Sequence, residues 1–462
     1  MKTYDIQPRV NGRVKFGANK GEIEILAGRV AEKGNGDDII FDGSDNFVVL
    51  EVGKRGSGKS YGMGSLLEGF ATRNGSVVGK HVGHDRRAVV LLDPLDIHWT
   101  ALIPLSSAGP EGLRRQWEVH QRWGGLQIEP INVQVLLPAG YSQHHDPAAF
   151  LQYQLPVSSL DAADWGLLLE TNLITEQRGR LIDETYRKVT ELGWDRDGTP
   201  VTAKPQYGIQ DLIDCIAGDG DIQSFYAAET CRSVLQPLRA LARMPLFASP
   251  QGTPLVQVAR PGYLSILSLG RLSPDLRVVL TTVFVRKLKR DRMAASDIRR
   301  RLALSPEEAP MRADLERQIA LRAPRTVLAI DEAQILMPAH ASTTARRELD
   351  AYVLEGRNFG LSLWLATQRP KGAISDAASS QVDTFIVHRL SVSEDIKAVC
   401  GLLQNAQPEV IRLPGGRTVE LAELVRSLDT GQAIFSSATS NAARLVVGMI
   451  RPRNVAHGGE AF

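Results

Sequence analysis

The sequence predicts an α/β fold built on a parallel sheet, and three observations carry the prediction. Buried-strand runs recur along the chain, among them Phe47–Val52, Ala88–Leu92, Tyr263–Leu269, Thr326–Ile330, Ser362–Ala366 and Thr384–Val387. Helix-like stretches separate them, such as the one carrying Leu66, Leu67 and Phe70 on one side. Continuous apolar strands alternating with helices are the pattern of a sheet covered on both faces. The length of 462 residues, with 43% hydrophobic and 23% charged, is ordinary globular composition and suits two or three domains, or one large core with insertions.

Taken in order, residues 1–45 alternate polar and apolar in bursts such as Glu22–Leu26, broken by the turn signals Asn11-Gly12 and Gly34–Asp38. Period-2 alternation with such punctuation reads as a small N-terminal β unit, too short to hold a core of its own and expected to pack on the next segment of the chain. A first core segment, 46–157, opens with a strand, a Gly-rich loop and a helix that Asn74-Gly75 closes, and its second strand runs into Asp93-Pro94. Residues 158–255 place Leu167–Leu169, Leu173-Ile174, Leu181-Ile182 and Val189 at helical spacing, with few strand signals between, and read as a helical insertion. Strand character returns in 256–450, where a helix through Leu276, Val279, Leu280, Val283 and Phe284 comes after the first strand. Residues 451–462 remain as a C-terminal tail.

Charge and cysteine usage exclude several classes. Lys and Arg number 54 against 52 Asp and Glu, a net charge of +2, so any nucleic-acid contact must come from a local concentration of charge. Cys215, Cys231 and Cys400 are scattered without CxxC or CxxH spacing, which indicates neither a zinc site nor a disulfide framework. No apolar run approaches the roughly 18 residues of a membrane span, and Met1–Asp5 lacks the apolar core of a signal peptide. The expectation is a soluble cytoplasmic protein.

Gly53-Lys54-Arg55-Gly56-Ser57-Gly58-Lys59-Ser60 matches G-x-x-x-x-G-K-[ST], the P-loop. Glycines let successive backbone N–H groups converge on phosphate oxygens while the following helix aims its positive end at the same anion. Lys59 is placed to reach the β- and γ-phosphates, and the Ser60 hydroxyl to complete a Mg²⁺ shell. Thr326–Ile330 is an apolar strand ending in Asp331 and Glu332, the Walker B pattern. There Asp331 can hold Mg²⁺, and Glu332 can polarise the attacking water. Gln368 ends the next strand, where it could sense the γ-phosphate. Arg357 stands in a Gly-flanked turn, where a planar permanent cation could serve a neighbouring subunit's transition state.

Together Gly53–Ser60, Asp93-Pro94, Ile330–Glu332, Ser268-Leu269 before a long helix, Glu355–Pro370, Thr430–Phe435 and Ile450–Arg453 resemble the HerA branch of the HerA/FtsK ATPases, a likeness covering most of 46–455. The resemblance implies a RecA-like P-loop NTPase core, a small N-terminal β-barrel, a helical insertion, and a homo-hexameric ring that threads double-stranded DNA using ATP and Mg²⁺. It also implies Gly53, Gly56, Ser57, Gly58, Lys59, Ser60 and Tyr61 as nucleotide contacts, with Ser60 and Asp331 on the metal. In the same way Glu332 is the catalytic carboxylate, Gln368 the sensor, Arg357 the arginine-finger candidate and Arg389 a second. Leu95-Asp96-Ile97-His98 replaces the Gly-Glu that often follows Asp-Pro in the family, so that loop's contacts do not carry over.

Between Arg286 and Arg301 stand eight cations and two anions, Asp291 and Asp297; such a run either grips phosphates or forms a solvated helix face. His144-His145 reads as a loop. The expected function is an ATP-driven translocase of duplex DNA, working with a nuclease or other effector in DNA processing or phage defence. The alternatives are a conjugation or secretion coupling ATPase, which the lack of a membrane anchor disfavours, or a ring scaffold. The scaffold would hold an effector such as a nuclease or a sirtuin-like NAD-consuming enzyme.

Overall fold

The computed structural model describes the chain except residues 1–12, 19, 31–36, 74–75, 84–85, 142–149, 249, 305–308, 338–342, 372–378, 404–410, 413–417, 438–443 and 460–462. The predicted turns at Asn11-Gly12 and Asn74-Gly75, most of Gly34–Asp38, and the loop at His144-His145 lie outside the described residues. The chain divides into two compact units: Met1–Val135 with Ala259–Gly270 and Leu288–Phe462, and Leu136–Val258 with Arg271–Lys287. Among the described residues no helix is long and apolar enough to cross a membrane.

The first unit is organised by a mostly parallel sheet. Its central strands run, side by side, Thr384–Val387, Val48–Val52, Leu361–Thr367, Thr326–Ile330, Ala88–Asp93 and Leu264–Ser268, each parallel to the next. Nearly every residue in them is buried, as the continuous Val/Leu/Ile runs require of a sheet covered on both faces. Parallel register sends all their carboxyl ends to one edge, where the loops beginning at Gly53, Pro94, Asp331 and Gln368 emerge side by side.

Both chain ends pack onto the core sheet. Residues 13–42 form strands, as their alternation predicts, and these join the core. Ile23–Val30 pairs antiparallel with Arg444–Ile450, which pairs with Gln432–Ser437 and through it with Thr384–Val387, so these strands extend the core sheet. The reason is burial on both faces: Ile25 and Phe41 are fully buried on one, Leu26 and Ile40 pack with Val78 on the other, and Phe16 and Phe41 join Phe47, Trp364 and Phe435 in one aromatic cluster. Gly28 fits because a Cβ there would stand 2.1 Å from the Met449 carbonyl oxygen.

Residues 451–459 pack back onto the first unit. Arg451 and Arg453 are fully buried against the helix Lys59–Phe70, where Glu68 accepts from Arg453 Nε at 2.7 Å, Arg451 Nη1 at 3.4 Å and the Asn454 N–H at 2.8 Å. The segment then crosses to Ile103, whose carbonyl accepts the Ala456 N–H, and to Gln116, which exchanges two hydrogen bonds with the His457 backbone. A buried carboxylate needs buried cations, and these residues supply them.

The second unit packs the helices Ala162–Leu168, Gln177–Arg187, Ile209–Gly218 and Ala228–Ala242 around Trp165, Leu181, Leu212 and Val234. It is wider than the predicted 158–255 and is not wholly helical. Asp197 and Gly198, both at positive φ, close a hairpin between Trp194–Arg196 and Thr199–Val201, the backbone that an Asp-Gly turn supplies.

Removing Glu68 strands two guanidinium groups, so Glu68→Ala should cost about 3–5 kcal/mol in urea unfolding; a loss below about 1 kcal/mol would show that the cluster is solvated. His457 accepts from Arg453 Nη1 at 3.3 Å, and burial together with that cation pushes its pKa down to about 2. The folded state therefore rejects a proton that the unfolded chain takes below about pH 6.5, so stability falls as pH drops from 7 to 5. His81 and His120 are shifted in the same direction, chiefly by burial. His457→Gln should therefore flatten the pH slope by up to about 1.4 kcal/mol per pH unit without abolishing it.

Candidate nucleotide-binding site

The strand Val48–Val52, the loop Gly53–Gly58 and the helix Lys59–Phe70 form one strand–loop–helix unit. Gly56 and Gly58 take φ of +74° and +98°, a left-handed backbone closed to most side chains. A Cβ at Gly53 would stand 2.5 Å from Ser57 Oγ and 2.7 Å from His388 Cβ, so the loop folds tightly onto that histidine. The helix has no side-chain cap and no acidic residue in its first turn. Its leading N–H groups and the dipole behind them are the donors an anion requires.

Lys59 is the charge at the centre. Only 4% exposed, it donates to Asp331 Oδ1 at 2.8 Å and to Glu332 Oε1 at 2.9 Å. Burial pulls the ammonium pKa down, but the two carboxylates outweigh it and the net shift is upward. Burial pushes Asp331 up, yet Lys59 and His98 hold its carboxyl well below the usual range. Asp331 also accepts the Glu332 N–H at 2.9 Å on Oδ1, while His98 Nε2 lies 3.0 Å from Oδ2. An ionised carboxylate only accepts, so Nε2 carries the proton.

Glu332 sits at φ +48°, a left-handed conformation costing a non-glycine residue roughly 1–2 kcal/mol. The turn aims its carboxylate at Gln368 Nε2, which donates to Oε1 at 2.8 Å, and at Gln334 Nε2, which donates to Oε2. Gln334 is fixed in turn by Thr367 Oγ1 at 2.8 Å. A carboxylate held on both oxygens beside a buried ammonium is set to orient a water and take its proton.

Of the residues the sequence singled out, Lys59, Asp331, Glu332 and Gln368 converge here, and Gly53–Gly58 with half-buried Ser60 line the approach. Tyr61 is turned to the C-terminal segment, its hydroxyl accepting the Arg453 N–H at 3.0 Å. Arg389 lies beside its own loop, its carbonyl accepting the Lys54 N–H at 3.0 Å. Arg357 lies at the opposite end of the strands, donating to Asp383 Oδ2 at 2.7 Å and to the Asn46 carbonyl at 3.4 Å. The strand between Asn46 and Gly53, roughly 20 Å long, separates it from its own P-loop.

The basic run divides. Arg286 pairs with Asp161 and Asp164 at 2.9 Å within the second unit. In the first unit, buried Arg292 donates to the Phe359 and Ala323 carbonyls, and Lys289 pairs with Glu355. Arg299, Arg300 and Arg301 are exposed.

Three groups escaped the sequence reading: His98, which bonds Asp331 and is itself held by Asp93; Gln334, which braces Glu332; and a buried Glu51 beneath the loop. Glu51 bonds His388 Nε2 at 2.8 Å and accepts from Trp364 Nε1 at 2.9 Å. An acidic residue inside an apolar strand was the legible signal for Glu51, since it needs a partner. Nothing local marks Gln334.

No protein-family model matches the chain. It is 29% identical over 121 residues to the DNA double-strand break repair helicase HerA of Sulfurisphaera tokodaii, covering 26% of this chain and 22% of the relative. It is 30% identical over 120 residues to a probable HerA of Methanocaldococcus jannaschii, with the same two shares. The matched stretch thus spans about a fifth of the length of these relatives. VirB4 of Thermoanaerobacter pseudethanolicus superposes with a TM-score of 0.49 at 16% identity, over 94% of this chain and 97% of that one. The plasmid coupling protein TrwB does so with 0.45 at 13% identity, over 96% and 98%. The chain thus gathers its P-loop and Walker B residues at one sheet edge and is similar to HerA helicases over about a quarter of its length.

Proposed function

We propose that the chain is an ATP-hydrolysing motor that moves duplex DNA through a ring of its own copies, working with a nuclease or other effector. The observation that carries it is the meeting of Lys59, Asp331, Glu332 and Gln368 over an uncapped helix end. In this reading the N–H groups of Gly56, Ser57 and Gly58 hold phosphate oxygens, and Lys59 exchanges its carboxylates for the β- and γ-phosphates. Ser60 and Asp331 hold Mg²⁺, which supplies neutralisation of phosphate charge. Glu332 orients the attacking water and takes its proton. Gln368, bonded to the same Glu332 oxygen, registers whether the γ-phosphate is present. The held Glu332 favours turnover over a ring that merely scaffolds an effector, and the HerA matches support DNA as the track.

Lys59→Ala should abolish nucleotide binding in an equilibrium titration. Glu332→Gln should keep affinity while hydrolysis falls by about two orders of magnitude or more, the usual worth of a general base. Equal loss of affinity in both would end this division of roles. DNA-stimulated hydrolysis in the wild type separates a motor from a scaffold.

Arg357 cannot reach its own phosphates, so it is assigned to the neighbour's site. Arg357→Ala should bind ATP normally and hydrolyse it about 10³-fold more slowly. Mixed with Lys59→Ala chains, it should regain activity, because some interfaces then pair an intact P-loop with an intact arginine. Gel filtration must show both variants assembled. If no mixture exceeds the sum of its parts, the role passes to Arg389 or to no arginine.

A further inference from the structure

We propose that His98 is a positioning residue that fixes the Oδ2 oxygen of Asp331 and thereby sets how tightly the site takes its divalent cation. The inference rests on the reading of Asp331 as a metal ligand given above. Asp331 Oδ1 already serves Lys59 Nζ and the Glu332 N–H, whereas Oδ2 takes the ring of His98 at 3.0 Å. Both side chains are 1% exposed, so no solvent competes for the bond.

The loop that carries His98 is pinned from several sides. Its own N–H donates to Asp93 Oδ2 at 2.7 Å, and Asp93 closes the strand that runs beside Thr326–Ile330, with Leu92 opposite Ile330. Asp93 and Asp331 therefore stand side by side at the sheet edge, and His98 bridges them, backbone to one and ring to the other. Asp96, at φ +55°, accepts the Gly270 N–H at 3.0 Å and the Ser268 hydroxyl, which ties the same loop to the next strand. Just beyond it, Thr100 Oγ1 donates to the Ala456 carbonyl at 3.1 Å.

The two side-chain bonds on Asp331 then differ in kind. Lys59 must leave Oδ1 when it turns to phosphate, because its three protons cannot serve both carboxylates and the nucleotide at full strength. His98 has no such errand. Once Lys59 has gone, it is the side-chain donor that stops the carboxylate rotating about Cβ–Cγ. Donors behind a ligating group typically govern metal affinity by about 10- to 100-fold.

The test uses the full chain and reads Mg²⁺ and nucleotide separately. His98→Leu keeps the apolar volume and loses the donor. His98→Gln places its amide nitrogen the same number of bonds from Cβ as Nε2, and His98→Asn falls one bond short. Half-maximal hydrolysis should need about tenfold more free Mg²⁺ in His98→Leu and His98→Asn, and near wild-type Mg²⁺ in His98→Gln. Affinity for a fluorescent ATP analogue in excess EDTA should stay within about twofold of wild type in all three, a readout that a merely structural histidine would not spare. If His98→Leu fails to fold, the Gln and Asn pair decides alone. An unchanged Mg²⁺ midpoint, an equal loss of affinity with EDTA, or His98→Gln no better than His98→Asn would overturn the proposal. A wild-type chain that binds no ATP analogue would instead overturn the functional reading beneath it.

Discussion

One buried ammonium organises this molecule. Lys59 leads a helix, yet its partners Asp331 and Glu332 end a strand more than 270 residues later. Taking three charges out of water is costly, and mutual attraction offsets that cost only while the geometry is held. Parallel register provides the hold: Val48–Val52, Leu361–Thr367 and Thr326–Ile330 pair residue for residue, so the P-loop and the two carboxylates leave the sheet at one height. A slip of register in any of these strands would separate Lys59 from its partners and leave a charge buried alone.

The same logic recurs behind the helix. Glu68 lies on the helix that Lys59 begins, and Arg451 and Arg453 fix it from the far end of the chain. Glu51, His388 and Trp364 fix the loop from below, and the close fit of Gly53 and Gly62 to His388 leaves the helix little room to shift. The P-loop is thus clamped beneath its loop and along its helix by two separate polar clusters, each fully buried. A phosphate chain entering from the open side meets donors already in place, so little ordering cost attaches to binding.

How much of this was legible depends on distance along the chain. The P-loop is contiguous, and its spacing alone dictates glycine, lysine and hydroxyl positions; the apolar runs likewise marked the central strands. Gln368 could be placed because it ends a strand whose neighbour was already assigned. Pairs brought together only by the finished fold were not legible. Arg453 and Glu68 stand 385 residues apart, and nothing local in Arg451-Pro452-Arg453 distinguishes a buried clamp from a solvated tail. For residues 13–42 alternation reveals the strands but not which sheet edge they cover, and that edge is made by Arg444–Ile450. The hairpin at Asp197-Gly198 carried a local signal, passed over because helical spacing dominated the surrounding window.

The placement of the cations bears on the proposed ring. Phosphoryl transfer spreads negative charge over the leaving oxygens, and a guanidinium aimed at them supplies much of the rate. In this chain the deeply buried arginines are already committed, Arg451 and Arg453 to Glu68, Arg87 to Ser362 and the Ser44 carbonyl, Arg292 to two carbonyls. Moving any of them would uncover a buried carboxylate or carbonyl, a cost of several kcal/mol. Arg357 is different: its side chain is 44% exposed, and burial pushes the carboxyl of its partner Asp383 up to about 6. Yet Asp383 also accepts the N–H of Val48, the first residue of the P-loop strand. In the proposed ring, an arginine reaching a neighbour's nucleotide from this position would be tied through Asp383 to the strand that carries its own P-loop, and the state of one site would bear on the next along that line.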